Sequence, residues 1–309
     1  MILLCGIPTE TPIAMVREEL DGLGVPYAVF NQRHFSATEL EFAISGNRVT
    51  GRITIDTQDY RLEDICGVYT RLMDDQVLPE LKDEPAGSPR RRYCRALHDA
   101  LMRWCEIMPG RVVNRTGPMG SNSSKPYQAQ LIREQGFAIP ETLVTNDPDL
   151  VLQFRAKHKR IIYKSISGVR SIVQTLEDED RERLAQIRWC PTQFQEFVEG
   201  TNVRVHTVGT EVFATAITTE AADYRYAHRA GKEVELKAFD LPGELANKCV
   251  RLARALELPF AGIDLKITPD NRVYCFEVNP SPAFSYYESN TGQPIARAVA
   301  RYLAGETQY

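Results

Sequence analysis

Three oxygen-bearing side chains, Asp264, Glu277 and Asn279, fall in or beside two β-type runs. The runs, Gly262-Ile-Asp-Leu-Lys-Ile267 and Val273-Tyr-Cys-Phe-Glu-Val-Asn-Pro280, hinge on the turn Thr268-Pro-Asp-Asn271. Side chains alternate faces along a strand, so Glu277 and Asn279 point the same way, and Asp264 can face them from the neighbouring strand. Convergent hard oxygens that leave room for water and phosphate are what Mg²⁺ needs when a nucleotide carries it. A surface hairpin with scattered acids would use the same residue types. Glu277 and Asn279, however, interrupt an apolar run, and buried acids are costly unless a cation relieves them.

Two lysines precede this hairpin in positions suited to phosphate. Lys125 sits in Asn-Ser-Ser-Lys-Pro before an expected helix, and Lys164 ends the apolar strand Ile161-Ile-Tyr-Lys, ahead of the small-residue loop Ser165-Ile-Ser-Gly-Val-Arg170. A compact ammonium at the end of a buried strand can meet phosphate while loop amides contact other oxygens. The Gly-x-x-x-x-Gly-Lys-Ser/Thr and Gly-x-Gly-x-x-Gly patterns are both absent, which excludes P-loop and dinucleotide readings. Between the lysines and the hairpin lies Gln195-Glu196-Phe197-Val198, followed by Asn202 and Arg204. A backbone leaving a strand there can offer a carbonyl and an N–H to an adenine edge between apolar walls. Asn202 could meet ribose, and Arg204 a phosphate or developing anion. His206 is a candidate base, although a strand histidine is commonly structural.

The elements that must hold these groups follow from periodicity. Strand Ile2 to Cys5, a helix from Pro12 to Leu23 stopped by Gly24, and strands at Tyr27 to Phe30, Phe42 to Ile44, Val49 to Ile55 and Cys66 to Thr70 predict an amino-terminal α/β lobe with one sheet. Asp83 to Arg92 reads as a solvated loop before a helix from Arg92 to Met108. A second unit begins near Gly120, with helices around Gln128 to Gln135 and after Asn146-Asp-Pro148, strands at Glu141 to Val144 and Arg160 to Lys164, and a solvated acidic helix surface at Glu177 to Glu182. Strands at Gln193 to Val198, Val203 to Val208 and Val212 to Ile217, helix Gly243 to Leu256, the hairpin, and Pro294 to Leu303 complete the chain.

With 309 residues, 43% of them hydrophobic and 25% charged, and a formal net charge of −4, the composition is that of a globular protein with room for two or three units and no basic excess for nucleic acid. No window is apolar enough for a membrane span, and the amino terminus lacks the features of a signal peptide. The seven cysteines are dispersed, odd in number and free of Cys-x-x-Cys spacing, which predicts a reducing cytoplasm. Asn114-Arg-Thr116 matches a glycosylation pattern by coincidence on this reading.

The order lysine, lysine, strand linker, arginine, acid and acid-x-asparagine resembles the ATP-grasp superfamily from about residue 110 to the end. Ile139 to Pro148, Asp223-Tyr-Arg225 and Ser289-Asn-Thr-Gly-Gln-Pro-Ile295 resemble the graspetide or microviridin-type peptide macrocyclases, relatives of the ribosomal-protein glutamate ligases. Gly67-Val-Tyr-Thr-Arg71 is similar to the pre-ATP-grasp domain of that group. The resemblance implies a mixed α/β fold: a pre-ATP-grasp domain over 1–115, a central lid subdomain over 116–200, and a carboxy-terminal subdomain with the metal site over 201–309.

By the same resemblance Lys125 and Lys164 hold ATP phosphates, and the Gln195, Glu196, Phe197 and Val198 linker meets adenine. Asn202 takes a ribose position where a carboxylate is common. Asp264, Glu277 and Asn279 carry two Mg²⁺ ions, with Mn²⁺ as an alternative, and Arg204 faces the γ-phosphate and acyl phosphate. Asp223 and Arg225 face the acceptor, and loops 165–170 and 221–231 close over ligand. The implied activity is ATP-dependent joining of a carboxylate to an amine or hydroxyl, on a precursor peptide or protein, in a chain suited to a homodimer. Where the macrocyclases continue with a Gly-Gln-Trp-like stretch, this chain has Ser281-Pro-Ala-Phe-Ser-Tyr-Tyr287. That departure keeps a ligase for small amino-acid-like substrates open, alongside a kinase or a nucleotide-sensing module of the same fold.

Overall fold

The computed structural model describes residues 1–166, 173–219 and 233–307. The chain opens with β1 (Ile2–Gly6), α1 (Thr11–Leu23), β2 (Tyr27–Asn31), β3 (Thr38–Ser45), β4 (Arg48–Ile55), β5 (Gln58–Arg61), β6 (Gly67–Thr70), α2 (Pro89–Ile107) and β7 (Arg111–Val113). The expected single sheet is in fact two. Strands β2-β1-β6-β7 form a parallel sheet, while β3-β4-β5 make a separate antiparallel meander. Every residue of β1 is buried because both faces are covered, as parallel sheets require. Ile2 and Leu4 face α1 and the carboxy-terminal helix, and Leu3 and Cys5 face α2.

Two local signals decide the helix ends here. Gly24 closes α1 in the left-handed region at φ 66°, where its N–H reaches Asp21 and Leu20 carbonyls. Helix α2 begins earlier than its apolar stripe implies. Ser88 Oγ accepts the Arg91 N–H at 3.2 Å, and Pro89 occupies the first turn, so the arginine triplet is helical rather than part of a loop.

Next come α3 (Thr116–Met119), α4 (Lys125–Glu134), β8 (Thr142–Thr145), α5 (Pro148–His158), β9 (Ile161–Ser165), β10 (Gln174–Thr175) and β11 (Thr192–Glu196). Strands β10-β9-β11-β8 form an antiparallel sheet. Val151 and Phe154 of α5, with Leu184, cover one face. The acidic run is carried by 3₁₀ turns over Glu179–Trp189 rather than by an α-helix.

The remainder is β12 (Thr201–Val208), β13 (Glu211–Thr219), β14 (Val234–Ala238), α6 (Gly243–Ala255), β15 (Phe260–Ile267), β16 (Val273–Asn279), α7 (Ser285–Thr291) and α8 (Ile295–Ala304). A five-stranded antiparallel sheet runs β14-β13-β12-β15-β16. Val203, Val205, Ile263, Leu265 and Val278 pack on one face against α6 and Ile132 of α4. The even-numbered residues of β12 and β15 take the other face. Strand β14 and helix α7 carry weak apolar periodicity and were not expected. Helix α8 packs on the amino-terminal sheet, so the last residues of the chain complete the first core.

Candidate functional site

The antiparallel register assembles the site in rows across the five-stranded sheet. Thr215, Arg204, Asp264 and Glu277 stand directly opposite one another on β13, β12, β15 and β16. One row away, Ile217, Asn202 and Lys266 align; on the other side are Phe213, His206, Gly262 and Asn279. Asp264, Glu277 and Asn279 therefore share one face.

A β-bulge sharpens this arrangement. Asp264 pairs with Glu277 but Leu265 pairs with Cys275, which leaves Phe276 as an extra residue on β16. The Lys266 ammonium lies 5.9 Å from the Phe276 ring centroid, and Phe276 and Glu277 both line one cleft. Lys164, Gln195, Phe197, Val198, Asn202, Asp264 and Lys266 line it with them. The cleft thus lies between the central sheet and the five-stranded sheet.

Cations face the carboxylates. Arg204 Nη1 lies 2.6 Å from Asp264 Oδ1, and Lys125 Nζ lies 3.1 Å from Glu277 Oε2. Burial pushes the Glu277 carboxyl upward, but Lys125, Lys164 and Arg204 together outweigh it and hold the group below its usual range. A carboxylate that stays ionised while mostly buried, among cations spaced for an anionic ligand, suits a metal–phosphate complex. Among the described residues no group of three or more His, Cys, Asp or Glu side chains is placed to hold a metal alone.

Lys125 is the first residue of α4, and it also donates to Asn122 Oδ1 at 2.7 Å. Lys164 sits opposite Gln193 on β11. The linker is held from both sides: the Glu196 N–H reaches Glu141 O at 3.0 Å, and the Phe197 N–H reaches Arg160 O at 3.1 Å. Glu196 turns its side chain toward the Glu141 N–H and His158, while Gln195, Phe197 and Val198 line the cleft. Asp223, Arg225 and most of loops 165–170 and 221–231 lie outside the described residues.

Several supporting residues have roles that the sequence does not assign, Arg71 and Gln293 among them although both lie in the quoted motifs. Gln128 Nε2 donates to Val278 O at 2.8 Å and its Oε1 accepts the Val278 N–H at 3.0 Å, which pins the free edge of β16 between Glu277 and Asn279. Its place one turn after Lys125 was the available signal. Asn114, far from a glycan site, is buried and donates to Phe260 O at 2.6 Å and Pro280 O at 2.5 Å. Arg71 ion-pairs with Glu10 at 2.6 Å and donates to Ser281 Oγ and Pro282 O, both at 3.3 Å. Gln293 bridges Thr215 Oγ1 and Ala214 O, each at 3.0 Å.

The segment 281–287 also has a defined place. Phe284 is fully buried, and the Tyr287 ring lies 4.9 Å from the His206 ring and 5.6 Å from Arg204 Cζ. His206 itself is fully buried, and burial, aided by Arg204, drives its pKa well below 6.5. It is therefore neutral, with neither ring nitrogen hydrogen-bonded among the described residues.

Comparison with known proteins gives this geometry its context. A model of the RimK-like ATP-grasp domain matches residues 122–303. A probable alpha-L-glutamate ligase of Xanthomonas oryzae pv. oryzae (strain MAFF 311018) is 30% identical over 242 residues, covering 74% of this chain and 77% of the relative. Among solved structures, the Chryseobacterium gregarium RiPP-associated ATP-grasp ligase, in complex with ADP and a leader and core peptide, superposes with a TM-score of 0.83 at 22% identity, covering 99% and 97% of the two chains. The ATP-grasp ligase PsnB, complexed with minimal precursor, Mg and ADP, gives a TM-score of 0.79 at 26% identity, covering 99% of this chain and 97% of that one. The chain belongs to the RimK-like ATP-grasp family and is an ADP-forming ATP-grasp ligase.

Proposed function

We propose that this ligase uses ATP and Mg²⁺ to join a carboxylate to an amine or hydroxyl of a ribosomally made peptide or protein side chain. The observation that carries the reading is the row Arg204, Asp264, Glu277 with Lys125 ion-paired to Glu277; Asp264 and Glu277 line one wall of a cleft whose other wall carries Lys164. Asp264, Glu277 and Asn279 would hold two metal ions, with Mn²⁺ able to replace Mg²⁺; such ions neutralise charge on the transferring phosphoryl group. Lys125 and Lys164 bind phosphates, the Gln195 to Val198 linker binds adenine, and Asn202 binds ribose. A substrate carboxylate oxygen takes the γ-phosphoryl group and ADP departs. The amine or hydroxyl then attacks the acyl carbon, losing a proton as phosphate leaves. Arg204 is positioned to stabilise the oxyanion of that step.

A peptide acceptor is supported by the PsnB likeness, which spans the whole chain including its amino-terminal lobe. Asp223 and Arg225 are assigned to acceptor binding within the proposal, as are the divisions 1–115, 116–200 and 201–309, the lid function of loops 165–170 and 221–231, a cytoplasmic setting and a homodimer. A second reading, ligation of a small amino-acid-like substrate, is favoured by the glutamate-ligase relative and by the 281–287 departure. Mass spectrometry separates them. With ATP and Mg²⁺, a precursor peptide that loses water supports the first, and glutamate joined to an acceptor supports the second. Added phosphate would indicate a kinase, and unchanged partners without ADP release a sensor.

A further inference from the structure

The cleft holds a cation that phosphate binding does not use. Lys266 lies on β15 two residues beyond Asp264, on the same face, so it is displaced from the carboxylate row by roughly 6–7 Å along the strand. Its cross-strand neighbour on β12 is Asn202. Its ammonium stands 5.3 Å from the Phe197 ring centroid and 5.9 Å from that of Phe276, both walls of the cleft. No described carboxylate pairs with it.

A half-buried ammonium without an anion is costly unless a ligand brings acceptors to it. An ammonium has three donors and no acceptor, and a carboxamide has both. A pair of vicinal hydroxyls satisfies this combination, because each oxygen can accept from Lys266 while a hydroxyl proton turns to the Asn202 carbonyl oxygen. A phosphate would be drawn instead to the row with Lys125, Lys164 and Arg204.

Resting on the nucleotide reading above, we propose that Lys266 is a specificity-determining residue for the sugar of the nucleotide, donating hydrogen bonds to the ribose 2′ and 3′ hydroxyl oxygens beside Asn202. This corner selects ribonucleotides by donating to the sugar.

Calorimetric titration of the full chain with ATP, 2′-deoxy-ATP and 3′-deoxy-ATP in Mg²⁺ tests this. Wild-type protein should bind at least one deoxy form about tenfold more weakly than ATP, the loss expected for one charged hydrogen bond. Lys266→Met keeps the chain length and the contact with Phe197 and Phe276. It should weaken ATP about tenfold and shrink the deoxy penalty to within twofold; Lys266→Gln repeats the measurement should the first variant fail to fold. Wild-type affinity for ATP in both folded variants, or an undiminished deoxy penalty, would show that the ammonium only rests on the rings, and overturns this inference alone. Absence of ATP binding by wild-type protein would instead overturn the nucleotide reading, and this inference with it.

Discussion

The guanidinium of Arg204 occupies the space above Gly262: a Cβ built at Gly262 would lie 2.6 Å from Arg204 Cζ and 2.8 Å from Pro282 Cβ. The absent side chain lets the arginine lie over the β15 backbone and reach Asp264. Gly262→Ala should push the guanidinium off this path and lower turnover by roughly 10- to 100-fold, at a stability cost of about 1–3 kcal/mol. Because Gly262→Ala acts through Arg204, it should add little in the Arg204→Ala background. Two losses that simply multiply would show that Gly262 acts independently of Arg204.

Glu277 is mostly buried and faces Lys125, and its depressed pKa keeps it ionised across the neutral range. Glu277→Gln preserves the shape and removes the anion. ATP-dependent turnover should fall by about 100-fold or more, the order expected for losing one preorganised electrostatic partner, with the fold retained. ADP release near the wild-type rate at saturating Mg²⁺ would remove Glu277 from the metal site.

Much of this arrangement is legible in the sequence because strand alternation is a local property: Glu277 and Asn279 had to share a face, and Asp264 could join them from the paired strand. The bulge at Phe276 is not legible, since register is settled only when both strands and their coverings are in place. The separation of β3-β4-β5 from the parallel sheet is not legible for a related reason, as alternating strands do not encode which neighbours they pair with. The roles of Asn114 and Gln128 are not legible because their partners are distant backbone groups, Phe260 and Pro280 for one and Val278 for the other.

Asn114 follows the end of β7 and joins the amino-terminal sheet to the start of β15 and the segment after β16. Besides its two donated bonds, its Oδ1 accepts the Phe260 N–H at 3.2 Å. Asn114→Ala should cost about 3–5 kcal/mol, because three buried bonds are lost and their backbone partners are left dry. Asn114→Asp should be at least as damaging, since an ionised carboxylate cannot donate to two carbonyls. Urea unfolding checks both, and an Asp variant as stable as wild type would refute the assigned amide orientation.

His206 gives the last expectation, a pH dependence of stability. Its folded-state pKa lies well below 6.5, chiefly through burial and secondarily through Arg204. Above pH 6.5 the imidazole is neutral in both folded and unfolded chains and contributes no slope. As pH falls below 6.5 the unfolded chain binds a proton that the folded one refuses, so stability is lost progressively down to the folded pKa. His206→Leu removes that proton, and with it two ring nitrogens that lack partners, and Leu suits the surrounding Phe260 and Tyr287 rings. Relative to wild type, the variant should therefore gain about 1.4 kcal/mol on going from pH 7.5 to pH 5.5. Parallel denaturant titrations at the two pH values measure the difference. A stability gap between variant and wild type that does not change with pH would mean that His206 takes up its proton within the fold, and that the site beside Arg204 tolerates a second positive charge.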